Sequence, residues 1–199
     1  MTMSGLDDVA ASSSLAGAVA GKPVPHDIRL LTRADAHWHL DGLAALLLDG
    51  VHAGASLGHL LPLSRDDAER DWEALQPRLS DTELLWIARD DAQVVGCIRL
   101  HIDAAPDGRH RAAIERLVVA STHRRRGIAA ALLVAAEREA GERGVRLLIA
   151  DVEAGSDAAH ALARLGWQSS GAIPGYVMTP DGRSRDGARL FRRVDVALR

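Results

Sequence analysis

The first half of the chain carries apolar residues at helical spacing. An apolar strand begins near Ile28, and Thr32 followed by Asp35 has the pattern of a capping box that opens a helix. Ser64 and Asp67 mark the start of a second helix in the same way. The spacing therefore predicts a lobe of two helices. Their apolar stripes are Leu40, Leu43, Ala44, Leu47 and Val51, then Ala68, Trp72, Leu75 and Leu79.

The second half alternates apolar and polar residues, which is typical of strands, before helical spacing returns. Turn signals at 90–91 and 106–108 divide the first strands into an antiparallel meander. A strand–helix–strand unit follows and implies a parallel pair inside a mixed sheet, so we predict an α+β (α/β) fold. The predicted elements are strands over 84–89, 94–102 and 111–119, a helix over 127–140, a strand over 145–150, a helix over 156–165, and strands over 167–173 and 188–194.

Length and composition favour a single domain. With 199 residues and 47% hydrophobic content, the chain can bury one sizeable core. The first residues are rich in Ala, Ser and Gly and lack a basic segment, so we predict a disordered tail over 1–25 and one domain over 26–199. Because no stretch approaches the roughly 18 consecutive apolar residues of a membrane helix, we expect no membrane partner.

The cysteine content and the net charge further limit the classes of partner that we expect. The lone Cys97 cannot form an internal disulfide, and no Cys/His spacing resembles a zinc site, so we expect a cytoplasmic protein without a metal. A formal net charge of -3 gives no overall attraction to nucleic acid, which we exclude as a partner. Partners must therefore be inferred from local features, and homodimer formation stays open.

Candidate chemistry lies at the start of the helix predicted over 127–140. Three arginines at 124–126 precede Gly127, and each cation there opposes the helix dipole by about 0.3–1 kcal/mol. A bound anion would reverse that sign, because first-turn N–H groups beside Gly127, Ala129 and Ala130 can cradle a phosphate. The P-loop ending and the three-glycine dinucleotide pattern are both absent. The loop therefore predicts a diphosphate site, with a solvated surface run of arginines as the alternative.

The arginine loop, Arg-x-x-Gly-x-Ala between a strand and a helix, resembles the coenzyme loop of GNAT acetyltransferases. The resemblance covers about 28–195 and is greatest to the tabtoxin resistance group. It implies the GNAT fold, a mixed and mostly antiparallel sheet flanked by helices with a parallel pair splayed at the coenzyme site. It also implies transfer of an acetyl group from acetyl-CoA to an amine. The segments that carry it are 46–58, 117–133, 151–156, 174–176 and 179–183.

The resemblance implies that the coenzyme is held mainly by backbone groups. The strand over 117–119 is expected to supply an N–H to the carbonyl oxygen of the thioester and to pair with the pantetheine arm. The arginine loop is expected to hold the diphosphate. The expected coenzyme-binding residues are Leu117, Val118, Val119, Arg124, Arg125, Arg126, Gly127, Ile128, Ala129, Ala130 and Ser156.

The acceptor amine must lose a proton before it attacks the thioester. An amine of ordinary pKa near 10.4 costs about 4 kcal/mol to present as the free base at neutral pH. The candidate bases are Glu115 and Asp151, with Glu153 third. Alternation would place Glu115 on the face of Leu117 and Val119, and Asp151 follows the apolar strand at its carboxyl end. The alternatives are a surface ion pair for Glu115 and a turn cap for Asp151.

The general acid of the family has no counterpart at its usual position. Relatives carry a tyrosine where this chain has Leu162 in the short helix. Tyr176, the only tyrosine, is expected in the loop after the sixth strand, where it acts in catalysis, contacts the acceptor or packs the loop. The first inter-helix loop is expected to wall the acceptor pocket. The expected lining residues are His52, Ser56, Glu153 and Tyr176.

Three hypotheses of function follow. The first is an N-acetyltransferase of a small molecule, for which the resemblance suggests a β-lactam-containing amino acid toxin as one acceptor. The second keeps the fold and acetylates a protein N-terminus or lysine. The third, prompted by Leu162, is an inactive acyl-CoA-binding sensor.

Overall fold

The computed structural model describes residues 27–194, and the tail predicted over 1–25 lies outside them. No helix in this range has the length and apolar content needed to cross a membrane. The helices are α1 (Arg33–His37), α2 (Leu40–His52), α3 (Arg65–Leu75), α4 (Ile128–Glu142) and α5 (Asp157–Arg164). The strands are β1 (Asp27–Leu30), β2 (Glu83–Asp90), β3 (Gln93–Ile102), β4 (Arg111–Val119), β5 (Leu147–Glu153), β6 (Gln168–Met178) and β7 (Ser184–Arg193).

All seven strands form one sheet in the order β1-β2-β3-β4-β5-β7-β6. Neighbouring strands are antiparallel except β4 and β5, which are parallel and are connected through α4. A parallel pair needs such a crossover because its strands run in the same direction. The mixed, mostly antiparallel sheet with flanking helices predicted from the sequence is confirmed.

The helical lobe contains one element more than predicted. The capping box is present: the Thr32 side chain accepts from the backbone N–H of Asp35, and the Asp35 side chain accepts from that of Thr32. It opens only α1, which has 5 residues and ends at His37, with Trp38 as its C-cap. The chain turns at His39, and the apolar stripe starting at Leu40 belongs to the separate helix α2. Propensity within a helix does not reveal such a break.

Strand β6 is longer than predicted and changes the position of Tyr176. Register shifts between Ile173 and Val177 absorb Pro174 and Gly175 without ending the strand. Tyr176 therefore lies within β6, and its predicted place in a loop was wrong. The reason is that β6 is an edge strand, where proline and bulges are tolerated.

Helices cover the two faces of the sheet at the carboxyl end of β4. A Cβ added at Gly96 of β3 would lie 3.0 Å from Ile128, so α4 packs closely on one face. A Cβ added at Gly50 of α2 would lie 3.2 Å from Val118 on the other face. We name these the α4 face and the α2 face. The start of α4 and the end of α2 thus meet on opposite sides of β4.

Candidate active site

Strands β4 and β5 separate toward their carboxyl ends. They pair over Arg111–Ala113 and Leu147–Ile149 only, and β5 beyond this point pairs with β7. Among residues 27–194, no strand covers the β5 side of β4 from Ile114 onward. Backbone N–H and C=O groups on that edge are open to an extended ligand. The predicted coenzyme-binding strand residues, Leu117, Val118 and Val119, lie along this split.

A β-bulge in β4 changes which side chains share a face. The register against β3 shifts so that Glu115 and Val118 lie opposite residues two apart on β3. Residues two apart on a strand share a face, so Glu115 lies with Val118 on the α2 face. Arg116, at the bulge, has φ of +51°. Simple alternation, which placed Glu115 with Leu117 and Val119, was wrong because the bulge adds one residue, and Leu117 and Val119 lie on the α4 face instead.

The loop between β4 and α4 has the backbone shape of an anion site. Arg125 has φ of +61° and Gly127 has φ of +83°, both in the left-handed region. Such residues turn successive N–H groups toward one concave side. Gly127 is the N-cap of α4, and no side chain from residues 27–194 caps the first turn of this helix. A Cβ added at Gly127 would meet nothing within 4 Å, so glycine is favoured there for its backbone freedom.

The arginines of this loop are exposed, and none forms an ion pair with a carboxylate of residues 27–194. Arg124 Nε donates to the carbonyl of Val119 at 3.4 Å, and Arg126 Nη2 donates to the carbonyl of Thr122 at 3.1 Å. Among residues 27–194, the guanidinium groups of Arg124 and Arg126 thus contact backbone carbonyls and no carboxylate. A diphosphate would satisfy both the arginines and the N–H groups of the first turn of α4.

Helix α2 anchors the same loop from the other side of the sheet. The Asp49 carboxylate accepts from the backbone N–H and from the hydroxyl of Ser121, each at 2.7 Å. These residues are 72 positions apart, and no pattern in the sequence pairs them. The loop that carries the arginines is therefore fixed to the helix that ends at His52.

Two of the predicted catalytic carboxylates lie at equivalent positions on the two strands that flank the split. Glu115 and Asp151 each lie two residues beyond the last β4–β5 pair, and both are on the α2 face. Each is held by an arginine. Arg99 donates to Glu115, and Arg189 binds Asp151 through two bonds of 2.8 Å. The hydrogen bonds and charge of Asp151 raise the pKa of Arg189. Neither carboxylate is free of a cation.

Arg99 also connects Glu115 to a buried carboxylate. Glu83 is 4% exposed and accepts from Arg99 Nε and, at 2.9 Å, from His101 Nδ1. Burial alone would raise the pKa of Glu83, but the bond to Arg99 and its charge outweigh burial and hold it below the ordinary value. Sequence reasoning missed this group, because Glu83 lies just before the strand predicted over 84–89 and its neighbours in the sequence give no sign that its side chain is buried.

The thiol of Cys97 takes no part as a nucleophile. Its side chain is fully buried and donates to the carbonyl of Arg116 at 3.4 Å. Burial raises the pKa of Cys97 to about 12, so the thiol is protonated at neutral pH. Its burial and its raised pKa both argue against a covalent acetyl-cysteine at this position.

A cavity of about 340 Å³ opens on the α2 face beside the split. It brings together the end of α2, the end of β5 and the turn between β6 and β7. Its polar groups include His52 and Glu153, which the sequence predicted, and Asp181 and Arg185, which it did not. The signal that was available is the 179–183 turn motif, which marks the segment but not the residues that face inward. The lining is completed by Val51, Gly54, Leu61, Thr179 and Pro180.

The structure brings three of the four predicted acceptor residues together. Ser56 donates to Glu153 at 3.4 Å, and His52 lies on the same cavity. Tyr176 does not line it. Its ring packs over Gly187, where an added Cβ would lie 2.5 Å from the ring, and the side chain is 53% exposed. Gly187 is opposite Glu153 in the sheet, so Tyr176 lies beside the cavity.

Ser156, predicted to bind coenzyme, is the N-cap of α5. Its side chain accepts from the backbone N–H of Ala159 at 3.2 Å. This bond gives the hydroxyl a helix-capping role, worth about 1 kcal/mol in typical helices. Ser156 also lies beside the end of β5, and a contact between Ser156 and the coenzyme stays a prediction.

Leu162 occupies a packed site and has no proton to donate. It is 2% exposed and belongs to the hydrophobic core. We expect Leu162→Tyr to lower the free energy of unfolding by about 1–3 kcal/mol, because the core must admit a larger ring and a hydroxyl. Urea unfolding measures the loss, with Leu165→Tyr at a half-buried position of the same segment as the control. A variant as stable as the wild type and faster in turnover would contradict this expectation.

A model of the Acetyltransferase (GNAT) family matches residues 55–167, more than half of the chain. The chain is also similar to the ribosomal-protein-alanine N-acetyltransferase of Brucella melitensis, with 28% identity and a TM-score of 0.67 over 83% of this chain and 98% of that one. A phosphinothricin acetyltransferase of Sinorhizobium meliloti in complex with AcCoA is 19% identical, with a TM-score of 0.67 over 86% of this chain and 89% of that one. An N-acetyltransferase of Staphylococcus aureus Mu50 is 18% identical, with a TM-score of 0.70 over 86% of this chain and 100% of that one. The last two likenesses concern the fold.

Proposed function

Because this chain belongs to the acetyltransferase (GNAT) family, we propose that its acceptor is the amino group of a small, amino-acid-like molecule. The chain is an acetyl-CoA-dependent N-acetyltransferase. The proposal concerns the acceptor and the residues that bind both substrates. The observation that carries it is the cavity on the α2 face, which opens beside the β4–β5 split.

Features of the loop and the split support the binding of acetyl-CoA. A diphosphate suits the left-handed turn at Gly127 and the three exposed arginines, which form no ion pair within the part of the chain that the structure describes; these are Arg124, Arg125 and Arg126. The open edge of β4 suits an extended pantetheine arm, whose amide groups can pair with the strand. These chemical matches support the predicted coenzyme-binding residues 117–119 and 124–130.

The charges around the cavity suit a zwitterion. Glu153 and Asp181 offer carboxylates to an ammonium group, and Arg185 offers a guanidinium to a carboxylate. Arg185 lies 4.0 Å from Glu153, at the outer limit of an ion pair, so it can turn to a ligand at little cost. An amino acid has both charges. A β-lactam-containing amino acid, the acceptor suggested by the tabtoxin resistance group, remains one candidate of this class.

A hydrogen bond bridges two walls of the cavity at one side, and this bridge limits the size of the acceptor that can enter. The backbone N–H of Leu61, in the loop between α2 and α3, donates to the carbonyl of Pro180 in the β6–β7 turn at 2.8 Å. This bond ties two walls together and opposes a polypeptide that would run through between them. A small molecule or a chain end can still enter.

The second candidate is acetylation of a protein N-terminus. It is favoured by the 28% identity to the ribosomal-protein-alanine N-acetyltransferase, which spans nearly all of that protein. An N-terminus has the ammonium group but lacks the α-carboxylate of an amino acid. The role of Arg185 therefore distinguishes the two candidates.

We expect Arg185→Met to raise KM for amino-acid acceptors about 10- to 100-fold, because a charge-assisted hydrogen bond contributes roughly 1.5–3 kcal/mol. KM for the corresponding amino-acid amides, which lack the carboxylate, should change little. The assay measures thiol release from acetyl-CoA with a panel of amino acids, their amides and peptide N-termini. Arg138→Met, which removes an exposed guanidinium of α4, is the control. Wild-type enzyme that acetylates peptides but no amino acid would contradict the first candidate and support the second.

A further inference from the structure

His52 is held in one tautomer by its own helix. Its Nδ1 lies 2.8 Å from the carbonyl oxygen of Leu48, one turn earlier in α2. A carbonyl oxygen only accepts, so Nδ1 must carry the proton of that bond. In the neutral imidazole the lone pair is then on Nε2. The helix thus fixes which nitrogen is basic.

The ring lines the acceptor cavity, and the side chain is exposed. Imidazole is the side chain that most readily takes up and releases a proton near neutral pH. The Asp49 carboxylate, on the same helix, is engaged by Ser121. The charged groups that the other elements contribute to the cavity are Glu153 from β5, Asp181 from the β6–β7 turn and Arg185 from β7.

The predicted carboxylate bases are less suited to accept a proton. Arg99 holds Glu115, and Arg189 holds both oxygens of Asp151. Protonating either carboxylate would weaken an ion pair, whereas protonating His52 at Nε2 leaves its bond to Leu48 intact. Together with the placement of His52 on the cavity, this difference separates it from Glu115 and Asp151. Glu153, the third candidate, lines the same cavity, and we assign its carboxylate to binding the ammonium group.

We propose that His52 is the general base that deprotonates the acceptor ammonium through Nε2. The inference rests on the proposed function, since it needs an amine in the cavity. One proton passes from the ammonium to Nε2, and the amine nitrogen bonds to the thioester carbonyl carbon. The C–S bond breaks with its electron pair on sulfur, and a second proton moves from nitrogen to sulfur. The imidazolium then returns its proton to water.

The test compares His52→Gln with His59→Gln. Glutamine can still donate to the Leu48 carbonyl but cannot take the proton. His59 lies in the loop after α2 and is 3.6 Å from Asp71, away from the cavity lining. With the best acceptor found for the wild type, we expect kcat/KM at pH 7 to fall about 100-fold or more in His52→Gln. His59→Gln should stay within a few fold, and KM for acetyl-CoA should be unchanged in both.

The pH profile separates a base from a structural residue. As the pH rises toward the acceptor's own pKa, the amine deprotonates in solution, so the deficit of His52→Gln should shrink. A deficit that is constant with pH, or a variant as active as the wild type at pH 7, overturns the proposal. Nitrogen NMR of the wild type, which needs no acceptor, should also find the Nδ1–H tautomer at His52. Finding the Nε2–H tautomer would overturn the proposal. A wild type that binds acetyl-CoA but acetylates no amine contradicts the proposed function itself.

Discussion

Arg126→Glu is expected to weaken the binding of acetyl-CoA about 30-fold. At roughly 4 Å in water, unit charges interact by about 1 kcal/mol, so replacing attraction by repulsion beside a diphosphate costs about 2 kcal/mol. Arg126 is exposed and makes one hydrogen bond, to the carbonyl of Thr122. The fold should therefore survive the change. Isothermal titration with acetyl-CoA measures the affinity, and far-UV circular dichroism reports the fold.

Arg138→Glu is the matched control for this experiment. Arg138 lies on the same helix, α4, and its side chain is 78% exposed, but it is more than two turns beyond the arginine loop. The substitution Arg138→Glu changes the net charge of the protein by the same amount as Arg126→Glu. Because salt screens exposed charges over about 10 Å at 0.1 M, its effect on the coenzyme should be small. Equal affinity losses in both variants would mean that net charge, rather than the loop, attracts acetyl-CoA.

The identity of a helix could be predicted from the sequence where burial follows the helical period, as the buried stripe of α2 does. Strand β3 was predicted from its alternating residues, although nearly all of it is buried because helices cover both faces of the sheet. The β6 strand shows where this fails. Pro174 and Gly175 usually end a strand, but β6 continues past them because it is at the edge of the sheet formed by residues 27–194, where a proline and a bulge are tolerated.

The arginine loop could be predicted because the residues expected to bind the diphosphate are consecutive in the sequence. The rest of the site depends on contacts between distant residues. The extra residue at Arg116 sets which face Glu115 occupies, and alternation cannot show an insertion of this kind. Asp49 and Ser121 meet only through packing of α2 on the sheet. Arg185 enters the cavity because the β6–β7 hairpin folds back onto the α2–α3 loop.

Arg99→Met is expected to lower the free energy of unfolding by about 3 kcal/mol, or roughly 6–12 °C in Tm. The methionine fills similar space, but Glu83 then keeps a buried charge without its main partner. This loss of stability is at the low end of the range for breaking a buried ion pair, because His101 and the more distant Arg78 remain beside Glu83. Urea unfolding measures it. Arg65→Met, which removes exposed ion pairs to Asp41 and Glu69, is the control and should change little.

The pH dependence identifies Glu83 as the cause. In the wild type, the lowered pKa of Glu83 contributes stability above its ordinary value of 4.5, and this contribution is lost as the pH falls through the lower folded value. In Arg99→Met, burial is opposed only by His101 and the more distant Arg78, so the pKa of Glu83 is higher than in the wild type and protonation on acidification removes the buried charge more readily. The deficit of the variant should therefore be greatest at pH 7 and shrink toward pH 4. Combining Arg99→Met with Glu83→Leu should restore most of the stability at pH 7, because no uncompensated charge then stays buried. A deficit independent of pH, and unrelieved in the double variant, would indicate lost packing around Arg99 instead.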